Sequence, residues 1–272
     1  MEKTKYIVLS HGRAGTNYLN QNFRQHPQIA AYNEPFHDTP AKRAPVSGRK
    51  WKTAESATKF AWETMYNDPD PRVTAVGFKL FFFQCRQNRK AADIWNTVLN
   101  DTSIRPIFVN KRNLLNRYFS ELRAKASGVW HPTSNDYKNT QYGEIVELEV
   151  KIPKMLQHLS RLYSSYNIVR SQFADRPVLE FFYEDLGTDS ESKINQAYEF
   201  LGVEQIGQES DFRTGTLSRE TTRLVNEDEV REAIETSFFH EYAATCPLLA
   251  EPDLPPVMAS QGTRPSPPGT HP

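Results

Sequence analysis

Between Ser10 and Asn17 the chain reads His11-Gly12-Arg13-Ala14-Gly15-Thr16, residue types that together can hold an oxyanion. Gly12 and Gly15 let backbone N–H groups turn toward a negatively charged oxygen with no Cβ in the way. Arg13 adds a permanent cation with planar donors, and Thr16 adds a hydroxyl. The apolar run Tyr6–Leu9 before the loop predicts a buried strand, and Leu19 and Phe23 after it predict a helix. A helix that starts at such a loop contributes the partial positive charge of its N-terminus. The donors of this cradle are Arg13, the backbone N–H groups of Ala14, Gly15, Thr16 and Asn17, and the Thr16 hydroxyl. The plain alternative is an ordinary βα turn in which the glycines serve only backbone geometry.

The spacing departs from the nucleoside-triphosphate loop G-x-x-x-x-G-K-[ST], whose Lys meets the β/γ-phosphates and whose hydroxyl meets Mg²⁺. Here two residues separate the glycines, no Lys stands between Gly15 and Thr16, and the cation comes early, at Arg13. Such a loop suits a single terminal anionic group. A second segment, IRPIFVNKRNLLNRYFSELR at 104–123, repeats the logic: a buried strand through Ile107, Phe108 and Val109, then a helix with Leu115, Phe119 and Leu122 on one face. Arg112 stands at the strand's exit and Ser120 eight residues later. On one helix they would lie about 12 Å apart, but a turn at Arg112 can fold it back so that both reach one phosphate. Arg117, Arg123 and Lys125 fit a solvated helix face as well as they fit a basic patch.

The elements that must position these groups alternate along the chain. Strands are predicted near 4–10, 75–81, 104–109 and 177–183, and helices near 16–25, 54–66, 90–99, 114–126, 145–172, 189–201 and 227–241. In the longest helix Ile145, Leu148, Ile152, Leu156, Leu159 and Tyr163 make a core-facing stripe. Thr188-x-x-Glu191 and Asn226-x-x-Glu229 have the form of helix N-caps with a reciprocal carboxylate, and Gly202 closes a helix. Alternation of this kind implies an α/β fold with a parallel β-sheet flanked by helices on both faces. Ligands then bind at the carboxyl ends of the strands, where both anion motifs fall. Residues 37–53 and 127–144 have the composition of mobile loops near the site. One domain is expected over 1–249 and a disordered, proline-rich tail over 250–272.

Composition bounds the function. The 33 acidic and 33 basic residues cancel, so no global field points to nucleic acid or to an anionic membrane. No apolar run approaches the roughly 20 residues needed to span a bilayer. The N-terminal residues lack a signal core, and two cysteines make no disulfide framework, so the expected compartment is a reducing cytoplasm. The chain shows no tight metal-ligand spacing, and no metal is expected.

Four segments in order resemble the sulfotransferases that use 3′-phosphoadenosine 5′-phosphosulfate (PAPS). They are Arg13-x-Gly15-Thr16 after an N-terminal strand, Arg112 with Ser120, FYEDLGTDSESKINQAYEFLGV at 182–203, and LVNEDEVREAI at 224–234. The resemblance implies a P-loop-like three-layer sandwich, with the first loop on the 5′-phosphosulfate and the Arg112/Ser120 pair on the 3′-phosphate. It also implies an adenine contact for Tyr183, which a core aromatic explains equally well, and a basic contact to the 3′-phosphate from Arg213.

Sulfuryl transfer needs a base for the acceptor hydroxyl. Glu34, in Tyr32-Asn33-Glu34-Pro35-Phe36-His37, should return to the sheet's active edge, and carbohydrate and bacterial members are proposed to use a Glu at the matching place. His37 is the competing base. Small-molecule members carry a Lys-x-His motif, whereas the comparable strand here, GFKLFFFQ, has Gln84 and no His, which favours Glu34. Lys79 in that strand either stabilises charge or pairs with an acidic neighbour. Trp130 and Tyr142 can serve as sugar platforms or as hydrophobic anchors. The expectation is thus a PAPS-dependent enzyme acting on a hydroxyl, of a sugar or glycoconjugate. Two alternatives stay open: a small-molecule or nucleotide kinase with a divergent phosphate loop, disfavoured by the missing Lys, and a non-catalytic nucleotide- or glycan-binding protein.

Overall fold

The computed structural model describes residues 2–84, 91–130, 145–207 and 217–249, which divide into two compact units. The first takes residues up to Arg117 and Gln157–Gly215, and the second Tyr118–Leu156 and the residues from Thr216 on.

The first unit is built on a five-stranded parallel sheet in the order β2-β3-β1-β4-β6, from β1 (Thr4–Ser10), β2 (Ile29–Tyr32), β3 (Ala75–Phe81), β4 (Arg105–Asn110) and β6 (Leu179–Phe182). Side chains alternate between its faces, as the period of a strand requires. Tyr6, Val8, Ile107, Val109 and Phe181 pack with Leu19 and Phe23 of α1 (Thr16–Gln25) and with Ile194, Ala197, Tyr198 and Leu201 of the helix Ser190–Leu201. Ile7, Leu9, Phe78, Leu80 and Phe108 face the other way. They pack on Ala57 and Phe60 of α2 (Ala57–Phe60), on Ile94, Trp95 and Val98 of α3 (Ala92–Asn100), and on Val169 and Phe173. This is the expected parallel sheet with helices on both faces.

The chain leaves β1 toward β2 and leaves β4 toward β6, in opposite directions, so the crevice beyond the carboxyl ends of β1 and β4 is the sheet's topological switch point. Gly77 makes this close pairing possible. It lies opposite Tyr6, and a Cβ there would stand 2.4 Å from the Tyr6 carbonyl oxygen and 2.5 Å from its ring.

Several elements differ from expectation. β2, reading Ile-Ala-Ala-Tyr, carries no strong strand pattern and is held by pairing with β3. α2 ends after one turn and continues as a π-helical turn over Ala61–Met65. β6 stops at Phe182, and Tyr183 opens a short helix, Tyr183–Thr188. The loop at 37–53 is packed, not loose. Arg43 is buried, stacks 4.2 Å from the Trp51 ring, and donates to the backbone oxygens of His37 (2.9 Å) and Trp51 (2.8 Å).

In the second unit β5 (Val146–Leu148) pairs in parallel with β7 (Thr222–Leu224). Residues 145–151 were expected in the long helix, which starts only at Ile152 and runs to Ser171. Its buried residues are Met155, Leu159, Leu162 and Val169, whereas Ile145 is 55% exposed and Tyr163 43%. Of the expected stripe Leu148 and Leu159 are buried, while Met155, Leu162 and Val169 take the core places expected of its other members. Asn226 does not cap the helix Glu227–Glu235 through its side chain. Its amide instead bonds both backbone groups of Val150 at 2.9 Å, and it donates to Glu229 Oε2 at 3.0 Å. Thr188 caps nothing either: its hydroxyl bonds the Asp185 carbonyl, and Asp189 takes the N-cap position. Gly202 closes that helix with φ 71°, as read from the sequence. Among the described residues no helix is long and apolar enough to cross a membrane.

Candidate active site

The β1–α1 loop has the left-handed backbone from which nests are built: Gly12, Arg13 and Gly15 have φ of 79°, 57° and 84°. For Arg13 that conformation is strained, and such strain collects at binding sites. Gly15 is the N-cap of α1, and its carbonyl accepts from the Tyr18 (3.0 Å) and Leu19 (3.4 Å) amides. The first turn of α1 carries no acidic residue of its own to offset the positive helix end. Ala14 and Thr16 are buried.

Lys79 joins this helix end to the candidate base. Its side chain is 1% exposed, its Nζ donates to Asn17 Oδ1 at 2.6 Å, and the Glu34 carboxylate lies 3.8 Å away. Burial outweighs the attraction of Glu34 and lowers the lysine to about 8. Gln84 completes the group: its Nε2 donates to Glu34 Oε2 at 2.7 Å, its Oε1 accepts from the Phe81 amide at 2.9 Å, and its carbonyl accepts from Trp95 Nε1 at 2.7 Å. Asn17, Lys79, Glu34 and Gln84 thus form one chain at the carboxyl edge. His37, the competing base, accepts at Nδ1 from the Thr39 amide at 3.0 Å.

At the end of β4, Arg112 is gripped by the helix Tyr183–Thr188. It meets Asp185 bidentately at 2.6 and 3.0 Å and stacks 4.4 Å from the Phe182 ring. Its backbone N–H, and that of Asn113, donate to Glu184. Asn113 Oδ1 then caps α4 (Leu114–Ser127) by accepting from the Asn116 amide at 3.0 Å. Tyr183 lies near both the β1–α1 loop and the end of β4. A Cβ on Gly15 would come 3.0 Å from its ring, and the buried Lys111 ammonium lies 4.3 Å from its centroid.

Arg13, Ala14, Gly15, Thr16, Asn17, Glu34, Lys79, Arg112 and Tyr183 therefore share the carboxyl edge of one sheet. Ser120 falls in the second unit, half-buried on α4, and Trp130 is exposed there. Arg213 and Tyr142 lie outside the described residues.

Sequence reasoning missed Glu184 and Asp185 as the grip on Arg112, and it missed a buried cluster under the loop. Arg117 is 6% exposed, with Nη1 2.9 Å from His158 Nε2 and Nη2 donating to the His11 carbonyl at 3.1 Å. Burial, and then Arg117, lower His11 to about 3, so its ring is neutral. Arg123 is likewise buried, whereas Lys125 is exposed and pairs with Glu121 one turn back. Only the apolar neighbours of Arg117 along α4 hinted at its burial.

No family model and no curated protein matches the chain. Among solved structures it is similar to a sulfotransferase from Alicyclobacillus acidocaldarius, at 16% identity and TM-score 0.47, over 90% of this chain and 94% of that one. It is also similar to mouse sulfotransferase SULT7A1 complexed with PAP (14%, TM-score 0.40, 89% of this chain and 67% of that one). A third is sulfotransferase STF9 from Mycobacterium avium (11%, TM-score 0.37, 86% and 68%). At these values the functional reading rests on the site itself.

Proposed function

We propose that this chain is a PAPS-dependent sulfotransferase acting on a hydroxyl acceptor. One observation carries the reading: the buried ammonium of Lys79 bridges the first turn of the anion-facing helix at Asn17 and the Glu34 carboxylate. A candidate base thereby stands beside a cradle for a transferable anionic group. Arg112, at the end of the next strand, supports a second anion site, as a 3′,5′-bisphosphate nucleotide requires. Ser120 and Arg213 join it on the sequence motif alone.

In this scheme the acceptor oxygen forms a new bond to sulfur while the bridging bond from sulfur to the 5′-phosphate oxygen breaks. That bond's electron pair stays on the phosphate. The acceptor's proton passes to Glu34, and Arg13, Lys79 and the loop N–H groups stabilise the charge growing on the leaving oxygen. The strained loop holds those donors in place before the reaction, so the transition state needs little reorganisation. We assign the acceptor to sugars or glycoconjugates because the base position carries a Glu, and we place the enzyme in the cytoplasm.

Calorimetry with the donor product, 3′-phosphoadenosine 5′-phosphate (PAP), tests the reading. Binding should survive metal chelation and weaken about tenfold to a hundredfold in Arg112→Ala, as loss of a charge-assisted contact implies. Absence of PAP binding would sink the donor assignment, and metal-dependent ATP binding in its place would favour a kinase.

A further inference from the structure

We propose that Arg117 is a positioning residue that sets the spacing between the two anion sites; the inference rests on the donor reading above. The peptide plane joining His11 to Gly12 is pinned at both ends. Its N–H donates to Ser10 Oγ at 3.0 Å, and its carbonyl accepts from Arg117 Nη2 at 3.1 Å. Gly12 is the first residue with positive φ, so every later plane of the nest is turned relative to this one.

Arg117 stands five residues after Arg112, in the first turn of α4, the helix that Asn113 caps. One guanidinium therefore ties the loop after β1 to the helix entry that presents Arg112. His158 accepts the other arm at 2.9 Å, which stops the guanidinium from rotating away. A ligand with two phosphates needs both sites at a fixed separation; a ligand with one does not. Arg117 thus acts on the donor's second anion without touching it.

The experiment compares PAP with adenosine 5′-phosphate on the full chain, in the wild type, Arg117→Met and Arg117→Lys. Arg117→Met should weaken adenosine 5′-phosphate, whose phosphate meets the loosened loop, and weaken PAP at least tenfold more, so the ratio between them collapses. Arg117→Lys, which keeps the charge but not two divergent donors, should fall between. Equal losses for both ligands would overturn the proposal, because they describe a residue that supports only the loop or the fold.

Hydrogen exchange supplies a readout without ligand. Amides from Gly12 to Thr16 should exchange faster in Arg117→Met and, less so, in Arg117→Lys, with β1 still protected. If wild-type protein binds neither nucleotide, the donor reading fails, and unchanged loop exchange in both variants overturns the clamp itself.

Discussion

Lys79 ties the chemistry of the site to pH. With its buried ammonium lowered to about 8, the charge proposed to stabilise the leaving oxygen is present below that pH and lost above it. Turnover should therefore fall as pH rises through 8, and Lys79→Met should be slower by about a hundredfold or more, with that alkaline limb gone. Stability runs the opposite way. The unfolded lysine keeps its proton up to the ordinary 10.5, so just above 8 the unfolded state binds more protons and this residue's contribution favours folding as pH rises. A rate profile and a melting curve that decline together across pH 8 to 9 would reject the assignment. Glu34→Gln should lower turnover by about 10²–10⁴ while leaving PAP affinity within a few-fold, since the base meets the acceptor and not the nucleotide. An unchanged rate would return the proton to another group. The sequence left two roles open for Lys79, charge stabilisation or pairing with an acid, and its geometry serves both. Arg117 was harder to read, because a cation on a helix looks the same in sequence whether it meets solvent or a buried carbonyl.

At the scale of elements, the β1–α1 unit was legible from sequence because its signal is local: an apolar run, two glycines and a cation within a few residues. Its conformation also makes it fragile. Gly15→Ala forces an L side chain to φ 84° and drives a Cβ to 3.0 Å from the Tyr183 ring, so PAP binding should be lost with little change in the sheet's circular dichroism. Gly77→Ala meets harder atoms, the Tyr6 backbone oxygen at 2.4 Å, and should destabilise the fold by about 3 kcal/mol or prevent folding, as measured by urea unfolding. A loss under about 0.5 kcal/mol would mean the β1–β3 pairing yields more readily than a packed sheet should. Non-local elements were not legible. β2 is a strand because β3 offers it a partner, and β5 exists because β7 lies beside it. Residues 145–151 carry apolar spacing compatible with a helix, and only strand pairing and the Asn226–Val150 bonds overrule it.

At the scale of the whole molecule, the equal numbers of acidic and basic residues mean that donor capture depends on local field. Arg13, the N-terminus of α1 and Lys111 belong to the first unit, around the switch point between β1 and β4, as do Lys79 and Arg112 together with their acidic partners Glu34 and Asp185. The topology was only half legible: alternating strands and helices implied a parallel sheet, but the order β2-β3-β1-β4-β6 depends on which strands pair across long separations. Because Arg13, Lys79 and Arg112 belong to that unit, a nucleotide bound as proposed should stabilise it by mass action, about 2.7 kcal/mol at a hundredfold excess over its dissociation constant. With PAP bound, hydrogen exchange should slow in peptides covering 10–17 and 110–113, where the ligand's two phosphates are met. The β5–β7 ladder, at 146–148 and 222–224, lies in the second unit and should exchange at its unliganded rate. Protection confined to 10–17 would leave the nucleotide with one anion site and remove the ground for a 3′-phosphate. Protection at both places ties the pairing of β1 with β4 to the chemistry of the donor, because that pairing stands their ends side by side.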